Sequence, residues 1–144
     1  MTEHPTLADF PLHSTDKLRY GDTDRQGHVN NAVFSTFLET GRVELVYDPQ
    51  APLNDPDCSY VIARLELDFV SELLWPGVVD IGTGVLGMGT SSLRLHQAIF
   101  QQGRLVANAK TVMVQVNNAS RRARALGPAL RGRLQAMHMG SASA

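Results

Sequence analysis

Asp22 and Asp24 stand two residues apart in the run Tyr20-Gly21-Asp22-Thr23-Asp24-Arg25-Gln26-Gly27-His28-Val29-Asn30-Asn31, which carries a histidine and two asparagines directly behind them. Carboxylates and imidazoles hold or move protons near neutral pH, and carboxamides orient the groups that do. Immediately afterwards Phe34, Phe37, Leu38, Gly41 and Leu45 recur at helical spacing. Asn30 is a good N-cap and Asn31 opens the first turn, so unpaired N–H groups and the positive end of the helix dipole face back toward the Asp/His loop. A carboxylate beside a helix N-terminus is a general-base geometry with an oxyanion stabiliser built in. Taken one at a time the residues have a plainer reading, with Asp22 and Asp24 as turn formers and His28, Asn30 and Asn31 as caps.

Several elements must position this loop. Residues 14–20 read as a first strand delivering the chain into it, after a lead-in at 1–13 with two prolines that is expected to be extended and mobile. The helix is expected over 31–47, stopped by Asp48-Pro49. Its two phenylalanines and Gly41 place it in the concave face of a sheet, with Glu39 and Arg42 off the apolar stripe as an ion pair in solvent or at an interface. From Tyr60 the period changes to two, with Val61, Ala63, Leu65, Leu67 and Phe69 on one apolar face. Pro76-Gly77 marks a turn into a glycine-rich strand at 78–89, where the glycines let the sheet bend or let backbone approach a neighbour. Leu93, Leu95 and Ile99 alternate in the next strand, and Gln101-Gln102-Gly103-Arg104 turns it into a strand over 105–116. Pro128 to Met137 suits a short terminal helix, and 138–144 a mobile tail. One helix followed by hairpin-linked strands defines an α+β domain with an antiparallel sheet.

Length and composition bound the alternatives. The 144 residues suit one domain with a real core, 43% of them are hydrophobic, and the formal net charge is −1. Nothing in that balance marks a nucleic-acid or anionic-membrane binder, and no apolar run has the length of a membrane span. The N-terminal stretch lacks the order of a signal peptide, so a cytoplasmic protein is expected. Cys58 is the only cysteine, so no internal disulfide or cysteine-cluster metal site forms, and the acidic Asp55-Pro56-Asp57-Cys58 setting does not favour a thiolate nucleophile. There is no phosphate-binding loop, no paired-histidine zinc spacing and no Gly-x-Ser-x-Gly elbow of a serine hydrolase.

An aromatic, then Asp-x-Asp-x-x-Gly-His-Val-Asn-Asn, then a long helix resembles the active-site segment of hotdog-fold acyl-CoA thioesterases, the 4-hydroxybenzoyl-CoA thioesterase-like family. The Glu39-Thr40-Gly41-Arg42 step is similar to that family's Glu-x-x-Arg, and the resemblance gives Glu39 an active-site reading as the lesser alternative to the solvated or interface pair. The resemblance implies a hotdog fold, an antiparallel sheet wrapped around one long central helix, with Asp24 as the catalytic carboxylate acting on a thioester as base or as nucleophile. It implies that the main-chain N–H of Asn31 meets the oxyanion and that His28 and Asn30 orient water or the carboxylate. The last assignment is by similarity to acyl carrier protein thioesterases sharing His-Val-Asn-Asn, although Gln26 departs from their pattern. Benzoyl-type members place aromatic residues where Asn30 and Asn31 stand, which points toward fatty or other acyl-CoAs. Ser91 and Ser92 match a family serine position, and Arg121 and Arg122, with Arg124, are candidates for the coenzyme A phosphates, against the plainer reading of a solvated charged face.

The resemblance also implies that coenzyme A enters only as part of the substrate, with no cofactor and no metal. The expected partners are an acyl-CoA or acyl carrier protein thioester and a second copy of the chain, as a homodimer or homotetramer, without nucleic acid or membrane insertion. A non-catalytic hotdog that binds acyl-CoA or acyl carrier protein is the alternative, and the presence of Asp24 counts against it.

Overall fold

A computed structural model describes residues 4–139. β1 (Leu12–Lys17) precedes the Asp24 loop and α1 (Asn31–Val46) follows it. β2 (Cys58–Phe69), β3 (Val78–Met88), β4 (Ser92–Gln101), β5 (Arg104–Asn117) and α2 (Pro128–Gln135) complete the chain. The five strands form one sheet in the order β1-β3-β4-β5-β2, every neighbouring pair antiparallel. No helix among the described residues is long and apolar enough to cross a membrane.

α1 starts where Asn30 accepts a hydrogen bond from Ala32 N at 3.0 Å, and its amphipathic stripe explains its place. Phe34, Phe37 and Leu38 bury against Val79, Ile81, Ile99 and Val106 on the sheet. Leu45 and Val46 extend the core toward Val85, Leu95 and Met113, where α2 closes it with Leu130 and Leu134. Gly41 is the closest approach of helix and sheet. A Cβ built there would stand 2.6 Å from Thr83 Oγ1 and 2.8 Å from Gln97 Nε2.

Arg42 departs from the sequence expectation. Its side chain is only 5% exposed and Nη1 donates to Gln97 Oε1 at 3.3 Å, with no carboxylate among the described residues near enough to form an ion pair. Gln97 in turn donates to Leu38 O and Thr83 Oγ1, forming a buried polar hinge between α1 and the sheet. Burial lowers the guanidinium pKa and the Glu39 charge partly restores it.

β2 also differs. The register shifts between Ile62 and Arg64, so Ala63 is an extra residue that reverses the alternation. Tyr60 and Ile62 then share the helix-facing side with Leu65, Leu67 and Phe69, whereas Val61 and Ala63 were expected there.

The chain ends correct one further expectation and add detail at two others. The first strand covers 12–17 rather than 14–20, because Tyr20–Asp22 coils into a 3-10 turn. Within the lead-in, residues 7–13 take up defined structure against the sheet. A 3-10 turn at Leu7–Asp9 delivers buried Phe10 onto Gly82, where a Cβ would stand 2.5 Å from its ring. At the other end, Val85 N donates to Met137 O and Met139 N donates to Val85 O, so His138 and Met139 continue the sheet edge where β1 stops. Residues 1–3 of the expected lead-in and 140–144 of the expected tail lie outside the described residues. Gly82 and Gly84 thus serve close approach of these flanking segments.

Candidate functional site

The Asp24 loop is a closed turn built by its own side chain. Asp24 N donates to His28 O at 2.8 Å, and Asp24 Oδ1 accepts from Gln26 N at 2.8 Å and His28 N at 3.1 Å. Gly27 takes φ +80°, a left-handed value that glycine adopts without a Cβ penalty. Oδ1 is therefore committed to the turn, while Oδ2 has no hydrogen-bond partner among the described residues. Asp22 follows the plainer reading. It is buried, its carboxylate takes N–H bonds and an ion pair from Arg19, and its carbonyl accepts from Asn30 N, which ties the loop to the start of α1.

Asp24, His28 and Asn31 line one cleft of about 290 Å³ together with Val29, Phe34, Phe69 and the segment Val70–Leu73. The size is near the lower end for small-molecule sites. Its apolar wall contains Phe34 and Phe69, edge to face with ring centroids 5.1 Å apart. Asn31 N, the first amide of α1, has no hydrogen-bond partner among the described residues, which leaves an unused donor at the positive end of the helix in a residue that lines the same cleft as Asp24. Asn30 does not line the cleft. Its side-chain oxygen accepts from Ala32 N in capping α1.

Glu72 is a cleft residue that no sequence motif singles out. Its Oε1 lies 3.5 Å from His28 Nε2. Only the loop's docking reveals it: Val29 N donates to Leu73 O, and His28 and Leu74 form an antiparallel bridge.

The other candidates lie elsewhere. Glu39 is about 12 Å along the helix from Asn31 and borders a separate hollow of about 150 Å³ with Arg42, Tyr47, Tyr60 and Ile62. Ser92 pairs with Val114, whereas Phe69 in the cleft wall pairs with Ala107, roughly 23 Å away along β5. Ser91 adjoins Ser92, and Arg121 and Arg122 follow β5 on that same far side, exposed, so the chain does not bring these four to its own Asp24 cleft. Among the described residues no group of three or more His, Cys, Asp or Glu is placed to hold a metal.

Comparison with known proteins agrees with this geometry. A family model described as the thioesterase-like superfamily matches residues 18–134. A predicted thioesterase from Bacillus stearothermophilus is 28% identical, with a TM-score of 0.79 over 88% of this chain and 96% of that one. A thioesterase from Thermus thermophilus, solved in complex with coenzyme A and Zn, is 30% identical, with a TM-score of 0.77 over 90% of this chain and 95% of its own. No curated protein gives a significant match to the sequence. A carboxylate loop leading into a central helix, held in one antiparallel sheet, defines a hotdog-fold thioesterase-like domain. The chain belongs to the thioesterase-like superfamily, whose chemistry in general is hydrolysis of a thioester.

Proposed function

We propose that the protein hydrolyses acyl-CoA thioesters to the free acid and coenzyme A in the cytoplasm. The observation that carries this reading is that one cleft is lined by both Asp24 and Asn31, whose Oδ2 and main-chain N–H respectively have no partner among the described residues. A thioester carbonyl needs an activated attacker and a donor for the oxyanion, and little else. Asp24 Oδ2 takes a proton from water as it attacks the carbonyl carbon. The oxygen that becomes negative is met by Asn31 N–H and the helix dipole, and the intermediate collapses as the C–S bond breaks and the proton held by Asp24 passes to the departing sulfur, releasing the thiol. Direct attack by Asp24 differs in that oxygen from labelled water would enter the Asp24 carboxylate.

Coenzyme A as carrier is supported by the Thermus thermophilus relative solved with it. The narrower likeness to 4-hydroxybenzoyl-CoA thioesterases rests on the Asp-x-Asp-x-x-Gly-His-Val-Asn-Asn run. Asn30 and Asn31 favour fatty or other acyl groups over the benzoyl type, although the Phe34–Phe69 pair gives the cleft an aromatic wall.

We also propose a homodimer formed along β2. That strand is a twelve-residue edge whose Val61, Ile62 and Phe69 are each between 43% and 50% exposed, an apolar edge that a lone sheet does not leave open. Free-thiol release from a panel of acyl-CoAs, including short, long-chain and benzoyl members, tests the activity. Release with at least one member is expected. Tight binding with no release at any chain length would establish the non-catalytic alternative instead.

A further inference from the structure

We propose that Glu72 is a positioning residue for His28, so that the site works with a carboxylate–imidazole pair beside Asp24. The proposal builds on the thioesterase reading. Glu72 stands on a segment fixed on both sides of it. Val70 N and Ser71 N both donate to Val106 O, and Ser71 Oγ donates to Leu105 O at 2.7 Å while accepting from Arg104 Nη1. Beyond Glu72, Leu73 O accepts from Val29 N, and the main chain of Leu74 is clamped by both ends of the Gln101 carboxamide. The backbone under Glu72 is thus locked to the backbone under His28, while the two side chains remain 65% and 36% exposed at the cleft. Such anchoring fixes the register of the pair without engaging the carboxylate itself.

The separation of 3.5 Å is longer than a formed hydrogen bond, and a small rotation of the exposed Glu72 side chain closes it. Apo sites commonly show such loose contacts, which tighten when substrate displaces water. With Glu72 accepting from Nε2–H, the neutral imidazole is held as that tautomer and Nδ1 is left as the acceptor. His28 is then oriented at the edge of the cleft, and its main-chain N–H already supports Asp24 Oδ1. Glu72 acts through the imidazole and does not touch the reacting carbonyl.

The test combines kinetics with nitrogen-15 NMR of His28, assigned by its absence in His28→Ala among the five histidines of the chain. Glu72→Ala is expected to lower kcat by about 10- to 100-fold, by analogy with the loss of a carboxylate that orients a metal-ligating histidine, with KM little changed. Glu72→Gln, which still offers an oxygen to Nε2–H, is expected to recover part of that loss. In a His28→Ala background Glu72→Ala is expected to change nothing further, because the two act as a unit. The wild-type spectrum is expected to show the Nε2–H tautomer and the Glu72→Ala spectrum a mixture. Additive losses, an unchanged kcat, or the same tautomer mixture in both proteins would overturn the proposal. If the wild type hydrolyses no acyl-CoA, the thioesterase reading fails while the NMR comparison still decides whether Glu72 holds His28.

Discussion

Replacing Gly41 by alanine separates helix propensity from packing in this fold. In an exposed helix the change favours folding by about 0.8–1 kcal/mol. At Gly41 the new methyl would stand 2.6 Å from Thr83 Oγ1, 2.8 Å from Gln97 Nε2 and 3.0 Å from Ile81 Cγ2. Gln97 is not free to swing away, since it bonds Leu38 O, Thr83 Oγ1 and Arg42. Overpacking costs about 1–3 kcal/mol, and each displaced Gln97 bond adds about 1 kcal/mol. The propensity gain offsets only part of this, leaving a net destabilisation of roughly 2 kcal/mol, or about 4–8 °C in melting temperature for a chain of this length. Gly132 in α2 is the internal control, because a Cβ there meets nothing within 4 Å. Gly132→Ala is expected to raise stability by up to about 1 kcal/mol. Both are read by thermal and urea denaturation. A Gly41→Ala protein as stable as the wild type would refute the close docking of α1 on β3 and β4.

Three further outcomes follow from the same structure. Asn30→Ala removes the oxygen that accepts from Ala32 N and is expected to cost about 1 kcal/mol by urea denaturation. Burial, with Asp55 and Tyr47 adding to it, raises the Tyr60 pKa well above the tyrosine range, and its hydroxyl donates to Leu53 O. The folded state therefore keeps a proton that the unfolded state loses above about pH 10, so stability is fully present below that pH and falls as pH rises beyond it. In alkaline titration Tyr60→Phe is expected to flatten this fall, at a cost of about 1 kcal/mol near neutrality. Ile62→Lys places a charge on the exposed edge of β2 and is expected to shift light scattering from dimer to monomer, and an unchanged dimer would place the interface elsewhere.

Much of the architecture was legible because local pattern and tertiary environment agree. The stripe of Phe34, Phe37, Leu38, Gly41 and Leu45 is the buried face of α1, and Leu93, Leu95 and Ile99 are the inner face of β4. Ala63 shows where pattern fails. A single extra residue in β2 reverses the faces on one side of it, and nothing in Val61-Ile62-Ala63-Arg64 announces the bulge. Arg42 was read as a surface charge because the stripe does not mark it. Its inward turn depends on Gln97, fifty-five residues later, which no local pattern pairs with it. At the site, Asp24, His28 and Asn31 share one local segment whose order is informative. Glu72 reaches His28 only through the docking of a distant loop, and Ser91 and Arg121 matched a pattern of residue types that the strand register then carried to the far side.

The central claim is most directly tested by the ratio of kcat/KM for wild type and Asp24→Asn on the best acyl-CoA of the panel. Asparagine keeps an oxygen for Gln26 N and His28 N, so the turn is preserved while the proton acceptor is lost. A fall of about 10²–10⁴-fold with unchanged melting temperature is predicted. Hydrolysis at the wild-type rate by the asparagine protein would contradict it.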